Sequence, residues 1–186
     1  MTYRIDKTFE FCYGHRVWTQ VLDDRFSNDL QCACRHLHGH EAKVQVFLEN
    51  EHTVNGMVTD FRHLEWLKSG INRTIDHRFI IDSNDPLFDH LTMGGEQLPH
   101  VKLVPITLGG SANAAREFDT ADLIGQGSAL QKELLNGFLV VDFTPTSENL
   151  ARWLHGIVAI TMAQLNVKCT RVDWWETPKS RSSYRV

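Results

Sequence analysis

Apolar and polar residues alternate from Tyr3 through Ile5, Lys7, Phe9 and Phe11, the period-two pattern of a strand. Residues 13–37 hold no steady period and read as loop. Alternation returns over residues 38–49, with Ala42, Val44, Val46 and Leu48 on one face and Lys43, Gln45 and Glu49 on the other. Asn55-Gly56 marks a turn. Phe61, Leu64, Leu67, Lys68, Ile71 and Ile75 then recur at near-helical spacing, predicting a helix over residues 61–74. A second helix is signalled by Thr144 as cap, Pro145 at the first position, and an apolar stripe of Leu150, Trp153, Leu154, Ile157, Val158 and Met162. Strands are predicted over residues 167–175 and around 183–186. The order strand, strand, helix, helix, strand, strand belongs to an α+β fold with the helices on one face of an antiparallel sheet.

Residues 88–137 interrupt this order. They hold Gly94-Gly95, Gly109-Gly110 and a Gly125-Gln126-Gly127 turn signal, with strand-like runs at 100–108 and, just beyond, at 138–143. The segment reads as an insertion between the two helices of a single domain spanning residues 1–186. A structureless loop of that length is unusual in a compact domain, so the segment is functional or partly structured. Surface connections tolerate added length, which places the insertion at the rim or on an assembly surface, outside the catalytic core.

Composition narrows the classes. The net charge of -4 argues against a nucleic-acid binder, which needs a basic face to meet phosphates. No run approaches the roughly 18 apolar residues of a membrane helix, and residues 1–6 lack a signal-peptide pattern. A cytoplasmic location follows, with Cys12, Cys32, Cys34 and Cys169 reduced. Cysteines close to histidines in such a protein point to metal or catalysis before disulfides. Cys12 and Cys169 fall in strand patterns and read as packing residues.

The chemistry concentrates in Cys32-Ala-Cys34-Arg-His36-Leu-His38-Gly-His40. On a strand, His38 and His40 project from one face about 7 Å apart, close enough to converge on one ion. Gly39 between them leaves room for close approach. His15, near the end of the first strand pattern, is the candidate third ligand, leaving a fourth position open for catalysis. Two other readings stand beside a catalytic zinc. One is a closed structural zinc site using Cys32, Cys34, His36 and a later histidine, although Cys32-x-Cys34 is tight for paired ligands; the other is no metal.

Six motifs, in order, give the sequence a family likeness. They are Phe9-Glu-Phe11-Cys-Tyr-Gly-His15-Arg16, Cys34-Arg-His-Leu-His38-Gly-His40, Gly56-Met-Val58-Thr-Asp60-Phe61, Ile75-Asp76-His77, Pro145-Thr-Ser-Glu148-Asn149-Leu150 and Trp175-Glu176-Thr177. Together they resemble the 6-pyruvoyl/6-carboxytetrahydropterin synthase family of the tunnelling fold, most of all its 6-carboxy type. The resemblance implies a four-stranded antiparallel sheet with two helices on one face, and subunits joined into a hexamer with active sites between them. It implies zinc on His15, His38 and His40, Cys34 as general base, and Asp76 with His77 as proton relay. Glu176, with Thr177 beside it, anchors the pterin ring. The implied reaction converts 7,8-dihydroneopterin triphosphate to 6-carboxy-5,6,7,8-tetrahydropterin, with release of acetaldehyde and triphosphate, in queuosine and deazapurine synthesis.

Alternatives remain at this point. Cys34 stands three residues before His38, the spacing of the 6-carboxy type, and Cys32 five before it, the spacing of the 6-pyruvoyl type. Formation of 6-pyruvoyl-tetrahydropterin by triphosphate elimination is therefore the rival reaction, and a non-catalytic zinc-binding interaction module is the rival of another class. Asp76 as a helix-end cap, Glu176 as a solvated strand residue and Cys34 as a buried apolar residue are the plain structural readings of those positions.

Overall fold

A computed structural model describes residues 1–27, 32–123 and 128–186. The Gly125-Gln126-Gly127 turn signal lies outside the described residues. The strands are β1 (Tyr3–His15), β2 (His38–Asn50), β3 (Arg78–Asp82), β4 (Lys102–Leu108), β5 (Ser111–Asp119), β6 (Phe138–Val141), β7 (Lys168–Thr177) and β8 (Ser180–Arg185). The helices are α1 (Glu65–Thr74), α2 (Phe88–Leu91), α3 (Ser128–Asn136) and α4 (Ser147–Ala163). The α+β character stands, but the four-stranded antiparallel sheet does not. One eight-stranded sheet runs β4-β5-β6-β3-β1-β2-β7-β8. It is mixed, because β3 lies parallel to both β1 and β6.

The long β1–β2 pair is antiparallel from Tyr3↔Asn50 to His15↔His38. β1 therefore continues to His15, where loop was expected from residue 13. Its alternation buries Phe9, Phe11 and Tyr13 against the helices and leaves Glu10 and Cys12 exposed. Cys12 is thus not a packing residue, whereas Cys169 is buried in the core. Asn55 and Gly56 both adopt positive φ in the turn closed by the Val54–Met57 bridge, as their sequence suggests.

The first helical segment opens with a 3-10 turn (Phe61–Leu64), capped by Asp60, whose side chain accepts the Arg62 N–H. α4 starts later than its proline suggested. Thr146 is the N-cap and accepts the Asn149 N–H, while Pro145 stays outside the helix with its carbonyl turned to His15. α1 and α4 bury Leu67, Ile71, Leu150, Leu154, Ile157 and Val158 against one face of the sheet.

The segment 88–137 is no rim decoration. β4 and β5 form one end of the sheet, and Ile106, Leu108 and Ala115 enter the same core as α1 and α4. The opposite face of this half carries a second core, in which Phe88, Leu135 and Phe118 pack on Ile81, Phe138 and Val140. Alternation along β3 and β6 divides the two cores: Ile80, Leu139 and Val141 face α1 and α4, while Ile81, Phe138 and Val140 face α2 and α3. Helices accordingly lie on both faces, not one. The second face is covered over β3, β5 and β6, and over β1 and β2 it carries polar residues such as Thr8, Glu10, Glu41 and Gln45.

If β4 is part of the main core, Leu108→Ala should cost about 2–5 kcal/mol, as for other buried leucines. Urea unfolding measures it. A loss below about 1 kcal/mol would return the segment to the periphery.

Candidate metal and substrate site

The β1–β2 register places His15 opposite His38, with Tyr13 opposite His40. All three histidines project from the helix-covered side, so their rings converge where β1 ends and β2 begins. Ring centroids lie 4.5 Å apart for His15–His38, 5.1 Å for His15–His40 and 5.0 Å for His38–His40. One nitrogen from each ring lies within 4.8 Å of the others, and this is the one metal-capable cluster of histidine, cysteine or acidic side chains among the described residues. Cys32, Cys34 and His36 do not form the closed site that was the alternative.

Two of the rings are aimed by backbone carbonyls. His15 Nδ1 lies 2.6 Å from the Pro145 carbonyl, and His38 Nδ1 lies 2.8 Å from the His36 carbonyl. A carbonyl only accepts, so both Nδ1 atoms carry the proton and both Nε2 lone pairs are free for an ion. His40 Nε2 stands 3.1 Å from His15 Nε2. Tetrahedral ligands at about 2.0–2.1 Å from a zinc lie about 3.3 Å apart, close to the spacing that His15 and His40 already show.

Electrostatics agree with this use. Burial pushes the His15 pKa down to about 4, against the Pro145 carbonyl and with the charges of His38 and His40. Burial, then His38, also lowers His40. Rings held neutral keep their lone pairs at neutral pH.

Glu176 adjoins the cluster, with Oε1 3.6 Å from His15 Nε2 and accepting the Tyr13 hydroxyl at 3.4 Å. Trp174 donates its indole N–H to the Tyr13 oxygen at 3.2 Å, fixing that ring. Burial, then the charge of Glu148, raises the Glu176 pKa. Pairing of β2 with β7 ends at Lys43↔Trp175. Beyond it the two strands part, leaving a cleft of about 380 Å³ lined by His40, Lys43, Trp175, Glu176 and Thr177 among others. Thr177 lines this cleft, but its hydroxyl accepts the Lys179 N–H at 3.2 Å. Tyr13 and the Pro145 carbonyl were missed as site groups. Tyr13 was legible as the residue two before His15 on the same strand face; a carbonyl leaves no side-chain signal.

Cys34 lies half-buried in a 3-10 turn (Ala33–Arg35), its N–H 3.5 Å from Cys32 Sγ and its carbonyl accepting the Val17 N–H at 2.8 Å. Burial pushes its thiol pKa up, reinforced by Cys32 and by the charge of Glu176. In these surroundings the side chain is a thiol, not a preformed thiolate. Asp76 and His77 are brought together. Asp76 Oδ1 accepts the Cys12 N–H at 2.9 Å and lies 2.9 Å from His77 Nδ1. His77 has φ of 60° and an exposed ring, and its N–H donates to the Cys12 carbonyl at 2.7 Å. Among the described residues no hydrogen bond or ion pair joins this dyad to His15, His38 or His40.

The fold and site define a mixed α+β protein with a three-histidine cluster, one member of which, His40, lines a strand-end cleft. The chain belongs to the family described as 6-pyruvoyl tetrahydropterin synthase, whose signature matches residues 4–186. It is 28% identical over 195 residues to the 6-carboxy-5,6,7,8-tetrahydropterin synthase of Aquifex aeolicus, covering 100% of this chain and 99% of that one. An uncharacterized protein from Wolinella succinogenes has a similar crystal structure, with a TM-score of 0.88 and 43% identity over 100% of this chain and 98% of that one. The 6-pyruvoyl tetrahydropterin synthase of Plasmodium vivax shares the fold at a TM-score of 0.55 and 13% identity, over 100% of this chain and 98% of that one.

Two outcomes are expected. Chains lacking both His38 and His40 should lose bound metal while staying folded, as read by elemental analysis and circular dichroism; full retention would sink the ligand assignment. Glu176→Gln should keep the metal but weaken binding of a pterin by about 1–3 kcal/mol in a fluorescence titration, because the amide turns one acceptor into a donor. Unchanged affinity would place the ring elsewhere.

Proposed function

We propose that this chain is a zinc-dependent 6-carboxy-5,6,7,8-tetrahydropterin synthase acting on 7,8-dihydroneopterin triphosphate, with release of acetaldehyde and triphosphate. The observation that carries the proposal is three imidazoles converging beside the half-buried carboxylate of Glu176, with His40 and Glu176 lining a cleft. His15, His38 and His40 would hold the zinc, which supplies a Lewis acid for the hydroxyls of the substrate side chain. Glu176 accepts two hydrogen bonds from the aminopyrimidine edge of the pterin, a bidentate contact that fixes ring orientation. Tyr13 and Trp174 hold that carboxylate in place.

Cys34 is the proposed base. Its raised pKa keeps the proton on sulfur until the site is loaded, so the thiol ionises only as nearby positive charge arrives. Asp76 orients His77, which holds or passes the second proton. The lack of any hydrogen bond or ion pair to the histidines among the described residues and the exposure of the His77 ring support a site shared between subunits, in the hexamer that the family likeness implies. We assign the whole chain, including residues 88–137, to one such pterin synthase domain, acting in the cytoplasm in queuosine or deazapurine synthesis. No helix of the described residues is long and apolar enough to cross a membrane.

One observation favours a second reading. Cys32 Sγ lies in the same turn as Cys34, so either thiol can serve the site. Were Cys32 the base, the 6-pyruvoyl outcome would gain. Mass analysis of products from the zinc-loaded protein and dihydroneopterin triphosphate separates the readings. The 6-carboxy product with acetaldehyde is expected; 6-pyruvoyl-tetrahydropterin without acetaldehyde marks the second; no turnover of any dihydropterin leaves a non-catalytic zinc module. Cys34→Ala should lose about a hundred- to ten-thousand-fold in kcat and Cys32→Ala much less, and the reverse order would move the base to Cys32.

A further inference from the structure

Immediately after His15 the chain enters a short segment held from two sides. On one side lies the end of β3. Arg16 and Asp85 are 8% and 4% exposed, and Arg16 Nε lies 3.1 Å from Asp85 Oδ2. Trp18 donates its indole N–H to Asp82 Oδ2 at 2.9 Å, and Thr144 donates to the same oxygen at 3.5 Å. On the other side lies the cysteine turn. The Val17 N–H donates to the Cys34 carbonyl at 2.8 Å, and Arg35 donates to the Gln20 carbonyl at 2.9 Å. The segment 16–20 therefore bridges two acidic residues at the root of α2 to the turn that carries the thiol.

We infer that Arg16 and Asp85, seconded by Trp18 and Asp82, are positioning residues for Cys34. The inference rests on the reading of Cys34 as the base. A buried ion pair is a poor choice for stability alone, because two charges must be desolvated and an apolar pair of the same volume serves as well or better. What such a pair provides is a fixed position. The chain leaves the metal strand at His15, and the Arg16 head sits buried beside Asp85 in an ion pair whose facing atoms make no hydrogen bond, so charge attraction holds the residue that precedes Val17. Asp85 is itself held: its carboxylate accepts the Leu87 N–H at 2.9 Å and its carbonyl the Phe88 N–H at 2.8 Å. Phe88 is packed in the second core against Phe118 of β5. The segment 88–137, which contributes none of the three histidines, is thereby connected through Phe88, Asp85, Arg16 and Val17 to the backbone of the turn that carries the thiol.

The test compares the metal with the thiol. Arg16→Met combined with Asp85→Leu replaces both charges by apolar groups, which buried sites commonly tolerate. This variant should stay folded with about one zinc per chain, the loading of a catalytic three-histidine site. Its kcat should fall about 10–100-fold, with KM within about threefold, as when a supporting contact is removed from a correctly bound substrate. The rate at which iodoacetamide alkylates Cys34, mapped by mass spectrometry, should change by about fivefold or more. Arg16→Lys, which keeps the charge, should restore most of kcat. If the double variant does not fold, Trp18→Phe removes the bond to Asp82 and keeps an aromatic, though smaller, side chain; it should show the same shift in alkylation with zinc retained. Native kcat and native alkylation in a folded variant would overturn the inference, as would losses of kcat and zinc in equal measure. If the native protein turns over no dihydropterin, the functional proposal fails on its own, and zinc content with Cys34 alkylation still decides the positioning role.

Discussion

Everything at the candidate site depends on the register of one antiparallel pair. With His15 opposite His38 and Tyr13 opposite His40, three imidazoles share a face and one corner of space. A slip of one residue would turn the β2 histidines to the polar face and leave His15 alone. Burial along the rest of the pair opposes such a slip, since it would turn Phe9 and Phe11 or Ala42, Val44 and Val46 away from the core. The hydrophobic core thus sets the metal geometry at a distance.

The same burial sets the charge state. His15 is 1% exposed and has no acidic hydrogen-bond partner at Nδ1, only the Pro145 carbonyl, so desolvation dominates and the ring stays neutral. Neutrality costs nothing to a metal ligand and would be a defect in a proton donor. At Glu176 and Cys34 burial acts in the opposite chemical sense, favouring the protonated form of each acid. An arriving cation would act against this burial and lower both acids.

The sheet's width comes from a segment that the family motifs do not include. β4 and β5 lengthen the sheet, and α2 and α3 close its second face over that half alone. This arrangement gives Asp82 and Asp85 a rigid mount at the end of β3, and it is through them that the loop after His15 is held. The other half of the second face stays polar over β1 and β2, and the cleft opens where β7 leaves β2.

Alternation and spacing in the sequence were sufficient for β1, β2, α1, α4, β7 and the His38-x-His40 pair, because each is a local pattern: period two, period 3.6, or His-x-His on a strand; His15 was a candidate that strand pairing had to bring in. The strands β3 and β5 were not legible. Arg78–Asp82 is a short apolar run that periodicity cannot separate from the end of a helix, and Ser111–Asp119 is mostly small and polar, with little strand preference of its own. Only their neighbours in the sheet make them strands. Asp76 and His77 were legible as a pair, but their contact with the Cys12 backbone is a matter of where α1 ends relative to β1. The raised thiol pKa of Cys34 likewise followed from burial and the nearness of Cys32 and Glu176, the last 142 positions further along the chain. By itself the sequence determined which residues are chemically able to act and which face of their own strand they share, because backbone geometry is local. The tertiary structure alone decided which of them meet, how charged they are when they do, and that residues 88–137 belong to the core, because pairing and desolvation depend on chain segments that are remote in sequence.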